Sequence, residues 1–131
     1  MSSEGLHEES ALLSASTVDH HRAIASLGEE LEAVDWYDQR VNATEDASLA
    51  AILAHNRDEE KEHAAMTLEW LRRRDATLDR HLKTYLFTTA PITEIEAQAE
   101  ASPGGSEPSQ AREPAGRGSG SLGIGSLRGN P

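Results

Sequence analysis

The residues best suited to do chemistry in this sequence are Glu30, Glu60 and His63. On a helical wheel, Glu60 and His63 lie one turn apart, within the inward arc of their helix that is formed by Leu49, Ile52, Leu53, Trp70 and Leu71. Glu30 lies at the edge of a similar arc on the preceding helix, formed by Leu27, Leu31 and Val34. Inward carboxylates cost free energy unless they are paired or bind a metal, so this placement requires a cause. One lone glutamate and one Glu-x-x-His pair are half of the ligand set of a carboxylate-bridged di-iron centre.

The chemistry of these donors favours iron or manganese. Hard carboxylate oxygens combined with an imidazole suit iron or manganese better than copper(I) or a closed structural zinc site. The sequence has no cysteine, which excludes disulfides, thiolate nucleophiles, Cys-ligated zinc and iron–sulfur clusters. The expected cofactor is Fe, the metal of the di-iron centres that use this ligand set, and manganese stays open.

The ligand set occurs only once in the chain, whereas a complete centre of this kind needs it twice. The other candidate histidines, His55 and His81, lack a glutamate three residues earlier. We therefore expect a homodimer with two irons, in which a two-fold axis relates the two half-sites and each chain contributes two helices to a four-helix bundle. Glu60, the most central ligand on its stripe, is the expected bridging carboxylate.

Nearby residues allow several interpretations. Glu29 and Glu32 face away from the apolar arc. They are either solvated side chains or part of a weaker metal-collecting surface. Trp36 and Tyr37 are more typical of packing than of redox chemistry. An acidic helix also contains Glu-x-x-His by chance, and an inward histidine is usually a hydrogen-bonded core residue. A metal-free helical dimerisation or adaptor module is therefore the alternative.

The elements that must position these residues are helices, because no strand pattern competes with the three- and four-residue apolar spacing. The fold class is all-α, an antiparallel two-helix hairpin followed by a short helix. Thr17 or Ser16 is the expected cap of the first helix. The predicted helices cover residues 17–42, 46–74 and 76–87, with a further turn or two over 92–99 and a frayed helix over 6–14.

Composition separates a foldable body from a tail. Residues 102–131 hold most of the glycines and prolines and few large apolar residues, which predicts disorder. The net charge is −11, and it resides in the body. Such an acidic body argues against binding nucleic acid or an anionic membrane. With no membrane-length apolar run and no signal-peptide pattern, the expected location is the cytoplasm.

Two longer blocks carry a family resemblance. Residues 29–40, read as EELEAVDWYDQR, and residues 55–66, read as HNRDEEKEHAAM, closely resemble the encapsulated ferritins of bacteria. The resemblance spans about residues 17–97. It implies a ferroxidase with Glu30, Glu60 and His63 of each chain as iron ligands, and an annular decamer of five dimers. It also implies that Glu29 and Glu32 bind extra metal on the route to the centre, with Trp36 nearby.

The tail gains a meaning from the same resemblance. Residues 120–128, GSLGIGSLR, are similar to the peptide by which cargo docks inside an encapsulin shell, with Leu122, Ile124 and Leu127 as the docking side chains. The organisation predicted from the sequence is then a flexible or weakly helical N-terminus (1–16), a ferritin-like domain (17–97), a disordered linker (98–119) and a targeting peptide (120–131). The implied role is iron oxidation for storage inside an encapsulin nanocompartment.

Overall fold

A computed structural model describes residues 5–101, and this part of the chain is helical, with no strand. The all-α prediction is confirmed. A 3-10 turn at Ser10–Leu12 precedes four helices. These are α1 (Ala15–Ala43), α2 (Ala47–Arg73), α3 (Ala76–Tyr85) and α4 (Ile92–Ala101). The predicted targeting peptide (120–131) and most of the predicted linker (98–119) lie outside the described residues.

Helix α1 begins earlier than the sequence predicted. Its cap is Ser14, whose side-chain oxygen accepts a hydrogen bond from the backbone N–H of Thr17 at 3.0 Å. The predicted caps, Thr17 and Ser16, therefore lie inside the helix. The predicted frayed helix over 6–14 is reduced to the 3-10 turn, because the extended backbone at Leu13 and Ser14 separates that turn from α1.

A tight connection turns the chain back on itself. It comprises Thr44, Glu45 and Asp46, and Asp46 caps α2 by accepting hydrogen bonds from the backbone N–H groups of Ser48 and Leu49 at 2.9 and 3.1 Å. The hydroxyl of Ser48, which donates to Asp46 at 2.7 Å, lowers the pKa of the Asp46 carboxyl, and these two backbone hydrogen bonds lower it further. A short connection of this kind forces two long helices to run antiparallel.

Contacts between α1 and α2 confirm that direction, since residue numbers rise on one helix as they fall on the other. His20 meets Trp70 edge-on with ring centroids 5.7 Å apart. Near the connection, Arg57 donates to Asp38 at 3.1 Å. The residues between the helices are half-buried or buried and alternate at three- and four-residue steps, the spacing of a coiled-coil contact. We call them the seam: His20, Ala23, Leu27, Glu30, Val34, Tyr37 and Val41 of α1, with Ala50, Leu53, Arg57, Glu60, Ala64, Thr67 and Leu71 of α2.

The hairpin has little interior of its own. Among the described residues, only Ala64 and Leu71 are buried, at 7% and 5% exposure. Several large apolar side chains that the sequence assigned to inward stripes are instead exposed, including Leu31, Leu49 and Ile52. The apolar arc on each helix is wider than the seam, so the apolar side chains at the edge of the arc face solvent. Exposed apolar surface on this scale is typical of a protein that associates.

A network of charged side chains joins the end of α2 to the start of α3. Arg72 donates to both oxygens of Glu69 at 2.7 Å and also pairs with Asp79 of α3. Arg73 donates to Glu69 at 2.8 Å. The hydrogen bonds from Arg72 and Arg73 lower the pKa of Glu69 to about 2. Asp75 completes the turn by accepting a hydrogen bond from the backbone N–H of Leu78 at 2.9 Å.

Helix α3 ends at Tyr85, two residues before the predicted end, because Phe87 adopts a left-handed backbone with φ of 62°. Helix α4 starts after Pro91, whose carbonyl accepts hydrogen bonds from Glu94 and Ile95. The helical turn predicted over 92–99 is present and runs on to Ala101. Within residues 5–101, no helix combines the length and apolar character needed to cross a lipid bilayer.

Candidate metal centre

Glu60 and His63 lie one turn apart near the middle of α2. The Nδ1 atom of His63 is 3.6 Å from Oε1 of Glu60, too long for a hydrogen bond but close enough for both to reach one ion. The two side chains differ in environment, because Glu60 is 27% exposed and His63 is 48% exposed. Glu60 belongs to the seam, whereas His63 lies beside it.

His63 shares its side of α2 with exposed apolar residues. At about 100° per residue, His63 falls in one arc with four other exposed residues and with the half-buried Asn56 and Trp70. We call the exposed residues of this arc the open face of α2: Leu49, Ile52, Glu59, His63 and Met66. No other part of residues 5–101 covers these exposed apolar side chains. A second protein surface that covered them would also contact His63.

Glu30 is half-buried on α1, facing α2. Its Oε1 atom accepts a hydrogen bond from the hydroxyl of Thr67 at 3.2 Å. Thr67 follows His63 by one turn, so this contact brings Glu30 to the part of α2 that carries the other two candidate ligands. Glu30 also lines a groove between the helices together with Met66, Thr67 and Trp70.

The glutamates on either side of Glu30 are exposed. Glu29 and Glu32 lie on the surface of α1 away from the seam, so the helical phase separates them from Glu30. The aromatic pair nearby is divided: Trp36 is 48% exposed, whereas Tyr37 is half-buried in the seam. Arg40 lies over both rings, 5.9 and 5.6 Å from their centroids, and stabilises them through cation–π contacts.

One chain does not complete a metal site. Within residues 5–101, no three His, Cys, Asp or Glu side chains are grouped closely enough to hold a metal ion. Glu60 and His63 form a close pair, while Glu30 approaches them through Thr67. The arrangement offers donors from two helices on one side of the hairpin, next to uncovered apolar surface.

Comparison with known proteins identifies the family of the chain. The model of the EncFtn-like family matches residues 5–89, which is most of the described chain and includes Glu30, Glu60 and His63. The chain belongs to the EncFtn-like family. The resemblance to encapsulated ferritins that the sequence predicted is thereby confirmed.

Relatives of this EncFtn-like protein match different shares of its length. It is 62% identical over 128 residues to the encapsulated ferritin-like protein of Rhodospirillum rubrum, covering 98% of this chain and 91% of that one. It is 41% identical over 54 residues to the encapsulin nanocompartment cargo protein EncC of Myxococcus xanthus, covering 41% of this chain and 42% of that one. The crystal structure of protein ne0167 from Nitrosomonas europaea matches with a TM-score of 0.66 and 66% identity, covering 67% of this chain and 97% of that one.

Thr67 is the residue of the site that sequence reasoning missed. The wheel could have drawn attention to it, because it lies seven residues after Glu60 and four after His63, on the same side of α2. Its partner is on α1, however, and a hydrogen bond across two helices depends on their register. The EncFtn-like fold supplies that register through the seam.

Proposed function

We propose that this protein is a ferroxidase that oxidises Fe(II) to Fe(III) with dioxygen at a di-iron centre formed between two copies of the chain. Membership of the EncFtn-like family supports an iron-handling, ferritin-like role. The observation that carries the finer proposal is the position of His63, which lies next to the half-buried Glu60 but on the open face of α2.

The donor set fits iron. Glu30 and Glu60 offer carboxylate oxygens and His63 offers an imidazole nitrogen, a combination suited to Fe(II) and Fe(III). The carboxylates also supply negative charge, which balances the additional positive charge that each iron gains on oxidation. In this proposal the iron is the substrate, and dioxygen accepts the electrons.

A second copy would supply what one chain lacks. If the open faces of two hairpins meet across a two-fold axis, each contributes Glu30, Glu60 and His63, and four helices then surround two metal ions. Covering the open face would also bury the apolar side chains that a single hairpin leaves in water. Metal binding and dimerisation would therefore reinforce each other.

The roles of the individual residues follow from their placement. Glu60, at the edge of the seam beside the open face, is the proposed bridging carboxylate. His63 and Glu30 are the proposed terminal ligands. The exposed Glu29 and Glu32 would concentrate Fe(II) near the centre, aided by the strongly acidic chain. Trp36 and Tyr37, held by Arg40, would form the packed surroundings of the site.

The proposed setting is the interior of an encapsulin shell in the cytoplasm. The relatives from R. rubrum and M. xanthus are described as encapsulated and as encapsulin cargo, which supports an encapsulin-associated role for this chain. The segment 120–131, outside the described residues, would dock through Leu122, Ile124 and Leu127. A hairpin dimer has no large cavity for mineral, so ferric product would pass to the shell's lumen. The proposed assembly is an annular decamer.

Crystals grown anaerobically with Fe(II) and examined by anomalous scattering would test the ferroxidase centre. We expect two iron peaks per dimer, each within bonding distance of Glu30, Glu60 and His63 side chains. An anaerobic Fe(II) titration gives the stoichiometry in solution. Binding of two irons per dimer would support the proposal, whereas no binding would favour a metal-free dimerisation or adaptor module.

Co-expression with an encapsulin shell protein tests the docking segment separately. We expect the full chain to co-purify inside shells, and a chain ending at residue 119 to remain outside. A matched variant with serine at Leu122, Ile124 and Leu127 keeps the length of the tail and should also be excluded. Equal loading of all three would contradict the docking role without bearing on iron oxidation.

A further inference from the structure

The hydroxyl of Thr67 lies between two acceptors on different helices. Its Oγ1 atom is 3.2 Å from Oε1 of Glu30 on α1 and 3.1 Å from the backbone carbonyl oxygen of His63 on α2. Thr67 is half-buried in the seam. A hydroxyl has one proton, so it can donate to only one of these acceptors at a time.

The carboxylate is the better acceptor of the two. A hydrogen bond to an ionised carboxylate is stronger than one to a neutral carbonyl. The carbonyl of His63 also lies within a continuous helix, where it already accepts the backbone N–H four residues later, at Thr67 itself. For the hydroxyl of Thr67, donating to Glu30 therefore leaves no acceptor unsatisfied.

We infer that Thr67 is a positioning residue that holds the Glu30 carboxylate in place for iron. The inference rests on the proposed function, in which Glu30 is a ligand. The hydrogen bond engages Oε1 of Glu30 and leaves Oε2 available to bind metal.

Glu30 needs such a restraint more than the other two candidate ligands. Glu60 and His63 are one turn apart on the same helix, so α2 itself fixes their spacing. Glu30 is on another helix, and its side chain has three rotatable bonds, so an unrestrained carboxylate must lose conformational freedom when the metal binds. Partners that hydrogen-bond to metal ligands reduce this cost, and their loss typically weakens metal binding or activity about 10- to 100-fold.

Two substitutions separate the hydroxyl from the packing. Thr67→Val keeps the branched shape and removes the hydroxyl, whereas Thr67→Ser keeps the hydroxyl and removes a methyl group. Using the full chain and Co(II) as the probe, isothermal titration calorimetry should show affinity falling about 10- to 100-fold for Thr67→Val. Thr67→Ser should stay within about threefold of the unmodified protein. Equal affinity for all three proteins, or a larger loss for Thr67→Ser, would overturn the inference.

A crystal structure of metal-free Thr67→Val gives a second readout that does not depend on metal. We expect the Glu30 carboxylate to leave its position opposite residue 67, while the seam around it stays unchanged. Glu30 in its original place would overturn the inference. If Thr67→Val does not assemble, Thr67→Ala takes its place in both measurements, with the same expected outcomes.

These readouts keep the two proposals distinguishable. If the unmodified protein binds no Co(II) and oxidises no Fe(II), the proposed function fails, and the metal-free crystal still decides whether Thr67 holds Glu30. If the unmodified protein binds metal and Thr67→Val binds it equally well, the role of Thr67 fails and the proposed function stands.

Discussion

The imidazole Nδ1 of His63 lies 3.6 Å from Oε1 of Glu60, yet the two side chains belong to different surfaces of α2. Glu60 is in the seam with α1, and His63 is on the open face. A single helix therefore carries one candidate ligand facing the partner helix within the hairpin and another facing outward. A site shared between two hairpins would require this division. Its ligands would have to face both the contact between α1 and α2 and the contact between the two hairpins.

Replacing either of these residues should stop rapid iron oxidation. Glu60→Gln removes a charged oxygen donor with little change of shape, and His63→Ala removes the imidazole. We expect the initial rate of Fe(II) oxidation, followed by absorbance in air, to fall by at least about 100-fold in each variant, since even partners of metal ligands cost up to that much.

Matched controls carry the same chemical changes outside the site. Glu62→Gln alters an exposed carboxylate on the same turn, and His55→Ala removes an imidazole that is 69% exposed and paired with Glu59. Both controls should oxidise iron at nearly the unmodified rate. Rates in Glu60→Gln or His63→Ala equal to those of the controls would remove that residue from the ligand set.

How much of this arrangement was predictable depends on the range of the interactions. The helical phase of Glu30 and Glu60 is local information, because it depends only on residue spacing along one helix. Both were placed toward the apolar arc from sequence, and both are half-buried in the seam. Residue spacing does not show which part of a helix's apolar arc packs against the neighbouring helix, because that depends on tertiary structure. The sequence therefore placed Leu49 and Ile52 in the same inward stripe as Leu71, although only Leu71 is buried.

Thr67 and the cap of α1 were missed for related reasons. The hydrogen bond of Thr67 to Glu30 needs the register of two helices, which no pattern within α2 contains. At the start of α1, three hydroxyl residues occur close together, at Ser14, Ser16 and Thr17. Each can cap a helix, so the sequence permits several starting points, and the backbone geometry at Ser14 selects one.

The cap assignment predicts a selective loss of stability. Ser14 accepts the N–H of Thr17, and its hydroxyl also donates to the Thr17 hydroxyl at 3.0 Å. Ser14→Ala should lower the free energy of unfolding by about 1 kcal/mol, the usual cost of losing a serine cap. Ser16→Ala makes the same chemical change two residues later, inside the helix, and should be nearly neutral. Urea denaturation at fixed protein concentration measures both; a larger loss for Ser16→Ala would place the cap there.

The charged network at the end of α2 predicts a pH-dependent effect. Hydrogen bonds from Arg72 and Arg73 lower the pKa of Glu69 from 4.5 to about 2. Because the pKa is lower in the folded state, the ionised carboxylate stabilises the fold above pH 4.5, and this contribution is lost as the pH falls toward 2. At pH 7, Glu69→Gln should melt about 1–5 °C below the unmodified protein, a modest shift because the network is partly exposed.

The same variant should therefore approach the unmodified protein in acid. Melting temperatures measured from about pH 7 down to about pH 3 should show the gap narrowing below pH 4.5. Glu62→Gln removes an equal charge from an exposed position on the same helix and serves as the control for the general effect of net charge. A gap for Glu69→Gln that stays constant with pH would mean that ionisation of Glu69 does not contribute.

The open face of α2 predicts how the protein associates. Ile52 is 58% exposed in the hairpin, and burying this remaining surface against a second copy would be worth about 1–2 kcal/mol. Ile52→Glu replaces that gain with the cost of burying a charge. We expect size-exclusion chromatography with light scattering to show a smaller species for this variant at micromolar concentration. Iron oxidation should fall together with the loss of assembly, because each chain holds only half of the proposed ligands.

Ala51→Glu is the matched control, since it adds the same charge at the neighbouring, exposed position, about 100° around α2 and outside the open face. It should assemble and oxidise iron as the unmodified protein does. If Ile52→Glu assembles normally, the open face is not the contact between hairpins. If it becomes monomeric but still oxidises iron rapidly, a single chain suffices for the chemistry, and the shared centre is wrong. Loss of both assembly and activity in Ile52→Glu alone is the outcome that the proposed shared centre predicts.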